Sequence, residues 1–140
     1  MWSTECSVEC ASPREFAWKF WTNVSNWPVI ESSVEAAEID GAFVAGAKIT
    51  TKPSGQPPII GHVTEVEEGH RAIIEIPVPG AMLKCFWTYE DSGNGTRITQ
   101  RMELEGERAE DYAAMGEMME QTLPQGMQRV ADSITQSYNQ

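Results

Sequence analysis

With only two histidines and three cysteines in 140 residues, the chain has little from which to build a metal site. His62 and His70 have no cysteine or carboxylate at ligand spacing, which argues against zinc. In an extended strand Cys6 and Cys10 would stand roughly 13 Å apart, beyond the reach of a disulfide. All three cysteines therefore read as small apolar residues in a reducing compartment. Positive charge is scarce as well: ten Lys and Arg face twenty-one Asp and Glu, a net charge of -11. Such a balance repels a phosphate backbone and an anionic membrane surface, so no nucleic-acid partner is expected. No apolar run reaches membrane-spanning length, and Met-Trp-Ser-Thr-Glu-Cys carries neither the basic nor the apolar stretch of a secretory leader. No stable membrane insertion is expected, and the expected location is the cytoplasm. Motifs for catalysis or cofactor binding do not stand out, so no cofactor or metal is expected and the catalytic residues stay unassigned.

What is present is strand pattern followed by helix pattern. Residues 2 to 10 alternate, with Trp2, Cys6, Val8 and Cys10 on one side and Ser3, Glu5, Ser7 and Glu9 on the other. Ser12-Pro13-Arg14-Glu15 supplies a capping serine, an early proline and a glutamate three residues after the cap, predicting a short helix with Phe16, Ala17, Phe20 and Trp21 on its apolar side. Pro28 disfavours helical geometry at Trp27. From Ser33 about six strand-length segments are separated by Gly41 to Gly46, Pro53 to Pro58, Glu68-Gly69-His70, Pro77 to Gly80 and Asp91 to Gly95. Short connections favour antiparallel neighbours, so the Pro53–Pro58 and Pro77–Gly80 turns fall at one end of the sheet. Finally, Tyr112, Met115, Met119, Leu123, Met127, Val130, Ile134 and Tyr138 recur in steps of three and four, one long amphipathic helix that Pro124 should bend or split.

Val24-Ser25-Asn26-Trp27-Pro28, Asp40-Gly41 with Gly46, Val63 to Gly69, and Gly95-Thr96-Arg97-Ile98-Thr99, in that order, resemble the landmarks of the START-like superfamily. Its bacterial polyketide cyclase/dehydrase-like branch and the birch-pollen allergen type belong there, as do the plant abscisic-acid receptors. The resemblance covers nearly the whole chain, taken as one START-like domain over residues 1–140. It implies an α+β helix-grip fold: a seven-stranded antiparallel sheet curved around the long C-terminal helix, with two short helices between the first and second strands. A hydrophobic cavity would lie between sheet and helix. By the same resemblance Ser54, Gly55, Pro79 and Gly80 sit where the plant receptors carry their gate and latch loops. Asn23 and Ile30 depart from the bacterial pattern of aspartate and tryptophan. Glu31 stands near the receptors' ligand-pairing lysine, which argues against a carboxylate ligand.

The expected cavity residues are Glu31, then Ile49 and Thr51 on the third strand and Ile74 and Ile76 on the fifth. Cys85, Trp87 and Tyr89 follow on the sixth strand, Gln100 and Met102 on the seventh, and Met115, Met119 and Leu123 on the last helix. Tyr89 and Gln100 are polar groups on an otherwise apolar lining. They either orient a ligand or bond to each other, to backbone or to water. Glu75, Arg97, Arg101, Glu103 and Glu105 read as surface charge, and His70 as a turn residue. The methionine-rich stripe, with Met118 beside it, reads either as core or as the wall of a deformable cavity. The expected role is binding of a small hydrophobic or amphipathic molecule of lipid, polyketide or quinone class, by a monomer or homodimer. Two rivals remain: an enzyme that cyclises or dehydrates a polyketide-like chain in the same cavity, and a co-chaperone-like interaction module. Exposure of Trp2 and Trp18 would favour the last.

Overall fold

Strict alternation makes β1 (Trp2–Cys10), which buries Cys10, half-buries Trp2, Cys6 and Val8, and exposes Ser3, Glu5, Ser7 and Glu9. The computed structural model describes residues 2–31 and 33–140. After β1 come α1 (Arg14–Thr22), a 3-10 turn (Val24–Asn26) and α2 (Trp27–Ile30). Six strands follow: β2 (Val34–Ile39), β3 (Lys48–Pro53), β4 (Ile59–Glu67), β5 (Arg71–Val78), β6 (Ala81–Ser92) and β7 (Gly95–Glu105). A second 3-10 turn (Ala109–Tyr112) leads into α3 (Ala113–Tyr138). The strands form one antiparallel sheet in the order β1-β7-β6-β5-β4-β3-β2, with α3 against its inner face, which is the helix-grip fold.

Register sets what shares that face. One cross-strand row reads Thr4, Met102, Cys85, Ile74, Val63; the next reads Cys6, Gln100, Trp87, Ala72, Val66. Val63 and Val66 share a face although three residues apart, because the β4–β5 register shifts between Val63 and Glu65. That bulge is why apolar residues of β4 defy simple alternation, and His62 is exposed beside Lys48 and Glu75.

Four local expectations are corrected. Ser12 does not cap α1: it is buried, its hydroxyl donates to the Pro13 carbonyl at 3.2 Å, and its carbonyl accepts from Thr96 Oγ1 at 2.8 Å, tying the end of β1 to β7. Trp27 is helical (φ -59°, ψ -39°), since Pro28 occupies the first turn of α2, where its missing N–H has no intrahelical partner to lose. The Trp27 indole N–H donates to the Trp21 carbonyl at 2.8 Å and holds the turn. Pro124 does not split α3, which runs unbroken for 26 residues with Pro124 on its exposed side. Met118 is exposed, whereas Leu123, Met127, Val130, Ala131 and Ile134 are buried.

Trp18 is only 5% exposed and packs edge-on to Tyr89 at 5.3 Å. Trp2 lies against α3, where a Cβ added at Gly116 would stand 2.7 Å from its ring; only a glycine lets strand and helix approach so closely. Neither aromatic forms the exposed patch that an interaction module called for. Among the described residues no helix is long and apolar enough to cross a membrane.

Candidate functional site

Between the inner face of the sheet, α2 and α3 lies a cavity of about 560 Å³, within the roughly 300–1,000 Å³ range of small-molecule sites. Ile49 and Thr51 of β3, Ile74 and Ile76 of β5 and Cys85 and Trp87 of β6 wall one side, with Gln100 and Met102 of β7 beside them. Met119 and Leu123 of α3 cover them, and Glu31 stands at the rim. The structure thus brings eleven expected residues together around one space, ten from the strands and α3 and Glu31 from the end of α2.

Tyr89 and Met115 are the exceptions. Tyr89 is on the same face of β6 as Trp87 but two residues further along, where Trp18 and Trp21 of α1 cover the sheet; it is core, not cavity. Its hydroxyl has no hydrogen-bond partner among the described residues, and burial, with Cys10 nearby, pushes its pKa well up. Gln100 pairs across from Trp87 and Tyr89 across from Ile98, and no hydrogen bond joins the Tyr89 hydroxyl to the Gln100 amide. Met115 packs half-buried against the core, one turn before the cavity.

Ser54, Gly55, Pro79 and Gly80 lie at the same end of the sheet but outside the cavity wall. The Ser54 amide donates to the Ser33 carbonyl at 2.9 Å. Pro79 and Gly80 are pinned to the approach to α3: Tyr112 Oη donates to the Pro79 carbonyl at 2.6 Å and the Arg108 amide to the Gly80 carbonyl at 2.9 Å. The rim is formed instead by Glu31, Ser33 and Val34 after α2, by Ile59 at the start of β4, and by Thr122, Gly126 and Arg129 of α3.

Apart from Glu31, sequence reasoning missed these rim residues, along with Trp21, Trp27 and Ile30 from the short helices. The two indoles could have been found, since Trp21 was already on the apolar side of α1. Trp21 stacks on Trp27 at 6.2 Å and meets Trp87 at 4.8 Å, giving the cavity an aromatic wall. Arg129 had no local signal: its partner Glu31 is 98 residues away in the chain.

Polar chemistry in the cavity is sparse. Cys85 is buried, which pushes its thiol up to about 12 despite the neighbouring Gln100 amide, so it stays protonated at neutral pH. Arg129 Nη2 stands 2.6 Å from Glu31 Oε2, and the Ser33 amide donates to Glu31 Oε1 at 3.4 Å. Burial alone would raise the Glu31 carboxyl, but Arg129 and Ser33 outweigh it and hold the group below its usual range. Glu31 and Arg129 are the only charged side chains among the described residues that line the cavity.

Residues 1–135 match the family described as Polyketide cyclase / dehydrase and lipid transport. No curated protein matches the sequence. Among solved structures, protein NE0264 from Nitrosomonas europaea superposes with a TM-score of 0.77 at 16% identity, over 99% of this chain and 97% of that one. Ara h 8.0201 gives 0.73 at 11%, over 94% and 96%. Norcoclaurine synthase from Thalictrum flavum, solved with dopamine and hydroxybenzaldehyde, gives 0.72 at 14%, over 97% and 85%. At such identities these likenesses speak for the fold.

Proposed function

The chain belongs to the polyketide cyclase / dehydrase and lipid transport family, and from that premise we propose that it takes a small hydrophobic or amphipathic molecule into the cavity under α3. The observation that carries this reading is the cavity itself: about 560 Å³, walled by isoleucine, methionine and leucine side chains and by Trp21, Trp27 and Trp87. Apolar surface removed from water supplies the affinity, at roughly 25 cal/mol per Å² before the costs of association. Gln100 offers a neutral hydrogen-bonding group at the inner wall, and Met119 and Met127 let the wall repack around guests of different shape.

Binding is favoured over catalysis by the ionisable groups present. General acid–base work at neutral pH needs a group whose pKa lies near 7. The Cys85 thiol lies at about 12 and the Glu31 carboxyl is held below its usual value, so neither exchanges a proton readily there.

Native mass spectrometry of freshly purified protein, set against its denatured mass, tests the reading. The expected result is an additional organic mass of lipid, polyketide or quinone class, or, for empty protein, a thermal shift with neutral hydrophobic probes that Thr51→Phe reduces by occupying part of the cavity. Absence of both a bound mass and any shift would overturn it.

A further inference from the structure

We infer that the Glu31–Arg129 pair sets the charge specificity of the cavity, admitting neutral amphipathic molecules and discriminating against both carboxylates and ammonium ions. The inference rests on the container reading above and deepens it. Three features of the rim carry it.

First, the pair is placed where a guest's polar end must emerge. Both side chains line the cavity, one from the end of α2 and one from α3, while the inner wall offers only neutral polar groups, Gln100, Thr51 and the protonated Cys85. Second, each partner is positioned by its own surroundings. Glu31 is held by its amide, which donates to the Trp27 carbonyl at 2.9 Å, and by the Ser33 amide at its carboxylate. Arg129 reaches the rim by lying back over Gly126, where an added Cβ would be in ordinary contact with Nη2 at 3.8 Å. Third, the two charges cancel at 2.6 Å while both side chains are partly withdrawn from water.

The consequence is a symmetrical penalty. A carboxylate seated at the rim can reach the remaining N–H groups of Arg129 only with the Glu31 charge alongside, so repulsion from Glu31 offsets what it gains from Arg129. An ammonium at Glu31 meets the Arg129 charge in the same way. A hydroxyl or carbonyl meets neither repulsion: it uses the free lone pairs and N–H groups of an intact pair. Neutral alcohols, ketones, phenols and quinones are therefore the ligand class, and free fatty acids and amines are not.

Calorimetric titration of the full chain with 1-decanol, decanoate and decylammonium, below micelle formation and at about 0.15 M salt, isolates the charge because the chain length is constant. Wild type is expected to bind decanol best and each ion on the order of tenfold more weakly, the scale of one like-charge contact between half-exposed groups. Glu31→Gln frees Arg129 and should raise decanoate affinity while lowering that of decylammonium; Arg129→Gln should do the reverse. The swapped double variant Glu31→Arg/Arg129→Glu, which rebuilds a pair, should restore the preference for decanol and guards against a folding defect in either single variant. Decanoate binding as tight as decanol in wild type, or an unchanged rank order in both single variants, would overturn the inference. Failure of all three probes to bind any variant would instead remove the container reading beneath it.

Discussion

Tyr89 shows how a face can be right and a role wrong. Alternation along β6 put it on the inner side with Cys85 and Trp87, and it is there, only 1% exposed. Alternation says nothing of position along the strand, and at Tyr89 the inner face is covered by the indoles of α1. Its hydroxyl is buried without a partner among the described residues, a state that costs about 1–3 kcal/mol. Tyr89→Phe keeps the ring and removes the orphan oxygen, so it is expected to stabilise by on the order of 1 kcal/mol. The measure is an upward shift of the urea midpoint at unchanged m-value; a downward shift would show that the hydroxyl is satisfied in solution. The same limit on local pattern explains the rim. Trp87, Gln100 and Leu123 could be read from period two or period three-and-four repeats, whereas Glu31 and Arg129 become a pair only once α2 and α3 are neighbours.

At the scale of elements, the part of α3 over the cavity is its weakest helix former. Thr122, Pro124 and Gly126 fall within two turns, and all the burial of that stretch comes from Leu123 and Met127. Pro124 cannot donate to the Glu120 carbonyl, and proline in a helix interior is about 3 kcal/mol less favourable than alanine. The element persists because its neighbouring turns pack on the sheet. Pro124→Ala is therefore expected to raise the melting temperature, by several degrees for each kcal/mol regained in a domain of this size; a fall would show that the path of α3 over the cavity depends on the missing bond. The long repeat predicted the element itself, because eight apolar positions over seven turns leave little alternative. Where the repeat ran from cavity wall to plain core could not be read from it, which is how Met115 came to be expected in the wall. In β4 one inserted residue moved Val66 back to the face of Val63, and no periodicity count anticipates a bulge.

For the molecule as a whole, topology was legible because turn punctuation divided the chain into strands, and parity then fixed which connections share an end. The cavity was legible only as a consequence of that topology. Charge is the property that composition stated outright and the structure sharpened: among the described residues every lysine and arginine except Arg97 lies within ion-pair distance of a carboxylate. The surplus of acids is left without local partners and repels itself. Raising ionic strength from about 0.01 M to about 0.15 M shortens the screening length from roughly 30 Å to 8 Å. The melting temperature is expected to rise across that range, because exposed ion pairs contribute little each; a fall would mean that the pairs outweigh the repulsion. One feature of the interior has a separate use. Trp21 stands within 6.2 Å of Trp18, Trp27 and Trp87, so four of the five indoles form one contiguous cluster with three members, Trp21, Trp27 and Trp87, facing the cavity. Excitation absorbed anywhere in that cluster is shared, and a guest that touches Trp27 or Trp87 alters the emission of all four. The protein carries its own optical gauge of occupancy, readable in ultraviolet light without a dye.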